Sequence, residues 1–171
     1  MLRNFLKHCS RLTAVLFIIG LLVGCSSKTE HSAIIKEALN VMKASAAKLG
    51  EPKVVEDLLF FGTTRMNNNY ELVDSLQAKY GCTATFFVKK GNEFIRISTD
   101  VMQESHRAIG TQLDPNGPVI VVIRKGEPFY GVVDILGSQY ETGYEPIKNA
   151  DGEIIGIYYV GFQIKQKQDR D

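Results

Sequence analysis

The sequence has no tryptophan, only three cysteines and no apolar run of the length that a membrane-spanning helix needs, about 20 residues. Three cysteines cannot supply the dense disulfide framework of small secreted scaffolds. The formal net charge of +1 gives no electrostatic reason to expect nucleic acid as a partner. A chain of 171 residues has room for one domain, or one domain with an appendage. These features exclude a multidomain receptor, a processive enzyme and a self-contained membrane transporter.

Sequence motifs for catalysis, cofactor binding and metal binding are also missing. The chain contains no Gly-x-Ser-x-Gly elbow, no P-loop and no dinucleotide-binding fingerprint. His31 and His106 are 75 positions apart, and neither a His-x-x-x-His nor a Cys-x-x-Cys spacing occurs. We therefore expect neither an enzyme nor a cofactor or metal site.

The first 25 residues resemble the signal sequence of a bacterial lipoprotein. Three basic residues, Arg3, Lys7 and Arg11, precede an uncharged run over residues 12–23, which has the length of a signal-peptide core. The run ends in Leu22-Val23-Gly24-Cys25, which resembles the lipobox, where the cysteine thiol is acylated and the chain is cut just before it. The alternative is an uncleaved N-terminal anchor that happens to contain a cysteine.

This pattern predicts four segments: a signal peptide over residues 1–24, a lipidated tether over 25–32, a folded domain over 33–164 and a polar tail over 165–171. Removal of the signal would take away three basic residues and no acidic one, so the net charge would change from +1 to −2. Cys82 would then be the one thiol left unmodified, and the domain must be stabilised by a hydrophobic core.

Lipidation of Cys25 predicts an extracytoplasmic protein held at a membrane, because each buried CH₂ of an acyl chain contributes about 0.8 kcal/mol. Ser26, rather than aspartate, follows the anchor cysteine. By resemblance to the sorting rules of Gram-negative lipoproteins, this slightly favours the outer membrane over the inner one.

Apolar spacing predicts two amphipathic helices, over about 34–49 and 72–80, which end at glycine. After Cys82 the period changes from 3.6 to 2, and strands are predicted at 84–88, 93–98, 129–136, 140–147 and 154–164. Residues 54–61 are ambiguous between strand and helix. This order predicts an α+β fold, in which the N-terminal helix covers one face of an antiparallel sheet of about five strands. The polar segment 99–117 is a candidate functional loop, and residues 99–127 are left to enclose a cavity on the other face.

Several motifs in this order resemble a single Cache domain of the Cache three/Cache two fusion type, found outside the membrane in bacterial chemoreceptors and sensor kinases. They are Thr85-Phe-Phe, Asn92-Glu-Phe-Ile-Arg-Ile-Ser-Thr99, His106-Arg-Ala-Ile-Gly-Thr111, Gly126-Glu-Pro-Phe-Tyr-Gly131, Ile135-Leu-Gly-Ser-Gln-Tyr-Glu-Thr-Gly-Tyr-Glu-Pro-Ile147 and Gly152-Glu-Ile-Ile-Gly-Ile-Tyr-Tyr-Val-Gly161.

The resemblance implies a PAS-like fold with a long N-terminal helix packed on an antiparallel sheet and a small-molecule pocket on the opposite face. It also implies a short helix over residues 118–124, although their β-branched content favours a strand.

Receptor members of the family have a membrane helix on each side of the sensor domain, followed by a signalling module, whereas this sequence stops shortly after its last strand. We therefore expect the ligand state to reach a separate membrane receptor, kinase or transporter, for example in chemotaxis. By the same resemblance, the N-terminal helix is a candidate homodimer interface.

Alternation along the strands selects candidate ligand-binding residues. Tyr140, Thr142 and Tyr144 project from one face of a strand, either into a pocket or onto a solvated or self-packed surface. Arg96 faces away from its two isoleucine neighbours, and a guanidinium on a half-buried strand needs an anion. That anion is either a ligand carboxylate or an internal aspartate, Asp100 or Asp134.

The family motifs add Arg107, Thr111 and Tyr130 to the candidate pocket, with a surface position as the alternative for Arg107. The function that we expect is a lipid-anchored sensory domain that binds a small molecule, most plausibly a short carboxylate. The alternative is a structural or dimerisation lipoprotein whose Cache-like fold has lost its ligand.

Overall fold

A five-stranded antiparallel sheet is the centre of residues 31–164, the part of the chain that the computed structural model describes. The helices are α1 (Ser32–Ala47), α2 (Glu71–Tyr80) and α3 (Pro118–Arg124). The strands are β1 (Pro52–Val55), β2 (Leu58–Phe61), β3 (Thr64–Arg65), β4 (Thr83–Lys90), β5 (Glu93–Thr99), β6 (Met102–Gln103), β7 (His106–Arg107), β8 (Phe129–Ile135), β9 (Ser138–Lys148) and β10 (Ile154–Gln163). The main sheet has the order β5-β4-β10-β9-β8. The predicted α+β class and the long N-terminal helix are confirmed.

Helix α1 covers one face of this sheet with an apolar stripe at helical spacing, which includes Ile35, Leu39 and Met42. The close approach depends on Gly143 in β9, because a Cβ atom there would lie 2.6 Å from Ile35 Cγ2. Helix α2 packs into the same core and ends at Gly81, whose φ of +68° suits the left-handed conformation that glycine adopts without strain.

The ambiguous residues 54–61 form neither a single strand nor a helix. Strands β1 and β2 pair antiparallel with a turn at Glu56 and Asp57, whose φ angles of 49° and 64° are both positive. With β3 they form a separate three-stranded sheet, and β2 adds Leu59 and Phe61 to the core beneath α1.

Residues 118–124 form the helix implied by the family resemblance, not the strand that their β-branched composition favours. Pro118 occupies the first turn, where its missing N–H leaves no intrahelical bond unmade. Val119, Ile120 and Ile123 are buried at helical spacing on the face of the sheet opposite α1. Tertiary packing therefore overrides strand propensity here.

A two-residue turn, Leu136-Gly137, joins β8 and β9, and both residues have positive φ as a type I′ turn requires. Strand β8 is an edge of the sheet, since β9 is its one neighbour within residues 31–164. No helix in this part of the chain combines the length and hydrophobicity needed to cross a bilayer. The predicted signal peptide, Cys25 and the tail 165–171 lie outside the described residues.

Candidate ligand-binding cleft

A cleft of about 540 Å³ lies between the end of the β8–β9 hairpin and the segment that leads into α3. This volume is within the range of small-molecule sites, roughly 300–1,000 Å³. Both polar and apolar residues line the cleft: Arg96, Gln112, Leu113, Asp114, Gly117, Pro118, Val119, Val132, Val133, Asp134, Ile135, Leu136, Gln139 and Tyr144.

Arg96 is a buried cation in the wall of this cleft, with 4% of its surface exposed. It projects from β5 on the face opposite its isoleucine neighbours, and its guanidinium carbon lies 5.0 Å from the ring centroid of Phe87. Nη1 donates to Thr111 Oγ1, whereas the buried Nε atom has no hydrogen-bond partner among residues 31–164. Burial lowers the pKa of Arg96, and the nearby hydroxyls of Tyr144 and Tyr159 oppose this effect.

No carboxylate among residues 31–164 forms an ion pair with Arg96. Asp100 Oδ1 instead accepts a hydrogen bond of 2.6 Å from the backbone N–H of Ala84. Asp134 accepts hydrogen bonds from the backbone N–H of Gly137 and from the Gln139 amide. The two internal aspartates considered from the sequence therefore have other partners, and Arg96 remains a buried charge without a counterion in the described chain.

The three candidates on β9 lie on the cleft side of the sheet but differ in their contacts. Tyr144 lines the cleft, and burial raises the pKa of its hydroxyl, which therefore stays protonated. Tyr140 packs against the apolar cluster that contains Tyr144 and the buried residues of α3, and it does not line the cleft. Thr142 Oγ1 donates to the carbonyl of Gly131 at 2.8 Å, so its hydroxyl is engaged within the sheet.

Thr111 contributes to the site indirectly. It receives the hydrogen bond from Arg96 and donates its own hydroxyl to the carbonyl of Ala108 at 2.8 Å. Its backbone carbonyl accepts a hydrogen bond from the backbone N–H of Arg96, which joins the polar segment 99–117 to β5. Thr111 therefore orients the guanidinium without lining the cleft.

Arg107 does not line this cleft, although the family motif implies a position in the pocket. Its guanidinium binds both carboxylate oxygens of Asp74 in α2, at 2.7 and 3.0 Å, and donates to the carbonyl of Thr99. It also lies 4.3 Å from the ring centroid of Tyr70. Arg107 thus binds the polar segment 99–117 to α2.

Tyr130, which the family motifs add to the candidate pocket, does not line this cleft either. It lies on the α1 face of the sheet, where its hydroxyl donates to Glu145 at 2.6 Å and Lys36 of α1 lies 5.1 Å from its ring centroid. The reason is register: Tyr130 pairs with Gly143, the residue that faces α1. A side chain on that face cannot reach the cleft.

Sequence reasoning missed the polar residues Gln112, Asp114 and Gln139, and it considered Asp134 only as a partner of Arg96. The first two belong to the polar segment 99–117, which the sequence marks as functional without singling them out. Gln139 follows a Leu-Gly turn, and no signal in the sequence separates it from an ordinary hairpin residue.

The residues that line the cleft include no serine, threonine, cysteine, lysine or histidine. No nucleophile with a neighbouring base lines it, and Cys82 lies in the core on the other face of the sheet. Burial raises the pKa of the Cys82 thiol to about 12, so it stays protonated and unreactive. Within residues 31–164, no group of three histidine, cysteine, aspartate or glutamate side chains could hold a metal ion.

Comparison with known proteins finds one matching family model and similar solved structures. The family model of the Cache 3/Cache 2 fusion domain matches residues 30–170. The crystal structure of the A. Aeolicus nlh2 GAF domain in an inactive state is similar to 78% of this chain and 85% of that one, with 12% sequence identity and a TM-score of 0.42. No curated protein matches the sequence.

Proposed function

Because this chain belongs to the family of Cache 3/Cache 2 fusion domains, which are sensory domains that bind small molecules outside the cytoplasm, we propose that it is a lipid-anchored sensor of a short carboxylate. The cleft beside α3 would hold the ligand, and Arg96 would bind its carboxylate. The ligand state would then pass to a separate membrane receptor, kinase or transporter.

The observation that carries this proposal is the environment of Arg96. Burying a guanidinium without a counterion is costly, and a cavity that retains such a charge is suited to an anion from outside. A carboxylate is planar and accepts two hydrogen bonds side by side, so it matches a guanidinium bidentately. Tyr144 offers a protonated hydroxyl in the same wall.

The apolar part of the cleft favours an organic anion over an inorganic one. Leu113, Val119, Val133 and Ile135 line it and would lose contact with water when a hydrocarbon chain enters. The lipid anchor on Cys25 would keep the sensor at the membrane, close to a receptor or transporter. Helix α1 would serve as a homodimer interface, as it does in receptor relatives.

Thermal unfolding of the full-length chain in detergent tests the binding proposal. A panel of short organic acids and amino acids should contain compounds that raise the melting temperature, since a ligand at a hundredfold excess over its Kd stabilises the fold by about 2.7 kcal/mol. Arg96→Gln should abolish the increase. Arg65→Gln, at an exposed arginine outside the cleft, is the matched control and should preserve it. If no compound raises the melting temperature of the unmodified chain, the proposal is wrong.

A further inference from the structure

The cleft extends from the face of the sheet opposite α1, where Arg96 and Tyr144 line it, to the edge of β8 that has no neighbouring strand within residues 31–164. Side chains alternate between faces along a strand, so a cavity on one face would be lined by every second residue. Here five consecutive residues, 132–136, line the cleft. The cleft therefore includes the edge of β8 as well as the face of the sheet, and main-chain groups are exposed at this edge.

The hydrogen-bond pattern of the β8–β9 hairpin identifies which main-chain groups of β8 have no partner strand within residues 31–164. In a hairpin with a two-residue turn, the flanking residues Ile135 and Ser138 form the closing hydrogen-bonded pair. Because bonded and non-bonded pairs alternate, Val133 also bonds inward to β9, whereas the N–H and C=O groups of Val132 and Asp134 point outward. Both of these residues line the cleft.

Strand β8 also lacks the features that usually protect a sheet edge. It contains no proline and no lysine, and Asp134 is its one charged residue. Val132 and the adjoining Leu136 are each 45% exposed. An open edge with apolar side chains can accept a further strand from an extended peptide, whose main chain makes the hydrogen bonds and whose side chains select the sequence.

We propose that the cleft binds the C-terminal end of a short peptide, which adds as a strand to β8 and places its terminal carboxylate at Arg96. This inference depends on the proposed function and narrows its ligand class from short carboxylates to oligopeptides. The charges of the cleft agree with this ligand. Arg96 matches the carboxylate, while Asp114 and Asp134 match the N-terminal ammonium of a short peptide and disfavour a second anionic group.

Calorimetric titration of the full-length chain with the tripeptide Ala-Val-Val tests the proposal, because its side chains are apolar and small enough for the cleft. We expect the free acid to bind about tenfold or more tightly than valine, isovalerate or the C-terminal amide of the same tripeptide. The two peptide N–H groups point in opposite directions in an extended chain. N-methylation of one should therefore weaken binding about tenfold, and methylation of the other is the matched control.

Variants of the protein test separately the outward N–H of Val132 and the guanidinium of Arg96. Val132→Pro removes the outward N–H from an edge strand, where proline is tolerated, and should abolish the advantage of the tripeptide over valine. Val132→Ala keeps that N–H and should retain the advantage. Arg96→Gln should abolish binding of both valine and the tripeptide. If Val132→Pro fails to fold, the two N-methylated peptides test the same hydrogen bond on the unmodified chain.

Three results would overturn the inference. Valine or isovalerate binding as tightly as the tripeptide, with no effect of either N-methyl group, would reject a peptide ligand and leave the carboxylate sensor intact. Absence of binding by all these compounds would reject the peptide inference, whereas the thermal-unfolding panel of organic acids decides separately whether the carboxylate sensor is wrong. A dimer in sedimentation velocity that Val132→Pro dissociates and the tripeptide leaves intact would show that a second copy of the chain occupies the edge.

Discussion

Arg96 is a buried residue that should lower the stability of the fold and that is proposed to bind the ligand. A guanidinium that is 4% exposed has lost most of its hydration, and the hydroxyl of Thr111 and the ring of Phe87 replace only part of it. In the unliganded protein, this charge should lower stability. Residues kept for binding commonly have this cost, because the ligand completes their interactions.

We expect Arg96→Met to increase the free energy of unfolding of the ligand-free chain by about 1–3 kcal/mol while abolishing ligand binding, because an apolar side chain of similar length removes the unpaired buried charge. Urea denaturation without ligand measures the first effect and calorimetry the second. Arg65→Met, at an exposed position, should change stability by less than about 0.5 kcal/mol. A clear loss of stability in Arg96→Met would assign the arginine a structural role instead.

Asp100 is a second buried charge, located away from the cleft. Burial raises its pKa to about 6, although the hydrogen bond from Ala84 partly opposes this effect. Its Oδ2 atom has no hydrogen-bond partner among the described residues. The folded state therefore binds a proton more tightly than the unfolded chain, whose aspartates titrate near 4.

The sign of the resulting pH dependence follows from linkage. Because the pKa of Asp100 is raised in the folded state, its contribution to the free energy of unfolding should be largest below pH 4. This contribution should decrease as the pH rises through about 6, by an amount on the order of 3 kcal/mol in total. We expect Asp100→Asn, which keeps the acceptor for the Ala84 N–H, to remove this decrease and to stabilise the protein at pH 7. Urea denaturation between pH 4 and 8 checks it, with the exposed turn variant Asp151→Asn as control. An unchanged pH profile in Asp100→Asn would contradict the prediction.

At the scale of elements, the segment between β5 and α3 is held at both sides. Towards the cleft, its backbone pairs with β5 through Thr111 and Leu113. On the other side, Arg107 binds Asp74 of α2 bidentately. The side chains of this ion pair are 31% and 44% exposed, so solvent screens part of the attraction.

A double-mutant cycle with Arg107→Gln and Asp74→Asn should give a coupling energy of about 0.5–1 kcal/mol, since the pair is bidentate but partly exposed. Urea denaturation of the four proteins measures it. Ligand affinity should change by less than about threefold in Arg107→Gln, whereas Arg96→Gln should abolish binding. A loss of binding in Arg107→Gln as large as that in Arg96→Gln would show that Arg107 contributes to ligand binding, as the family motif implies.

Sequence reasoning succeeded where a rule is local and failed where the answer depends on tertiary pairing. Alternation along a strand correctly places Arg96 opposite Ile95 and Ile97, because that period needs no knowledge of neighbours. The face on which Tyr130 lies depends on the register between β8 and β9, and the direction of Arg107 depends on the short β6–β7 pair. Neither register can be derived from the sequence alone.

At the scale of the whole molecule, the two faces of the sheet differ in what they contact. Helix α1 and the larger apolar core stabilise one face, and the cleft occupies the other. The two ends of the described chain meet beside α1: the His31 ring stacks on Phe162 at 4.4 Å, and its backbone N–H and Nδ1 contact Glu141 of β9 at 3.0–3.1 Å. His31, which belongs to the predicted tether over residues 25–32, thus contacts the strand that carries Tyr144.

The attachment of that tether to a membrane gives the last prediction. If Cys25 is the lipidation site, intact-protein mass spectrometry of the membrane fraction should show a chain that begins at an acylated Cys25 and lacks residues 1–24. Cys25→Ser should keep residues 1–24 and carry no acyl group, because the thiol nucleophile is gone. Cys82→Ser, at the buried thiol, is the control and should be processed like the unmodified chain. An unmodified chain that retains residues 1–24 without lipid would instead support an uncleaved N-terminal anchor.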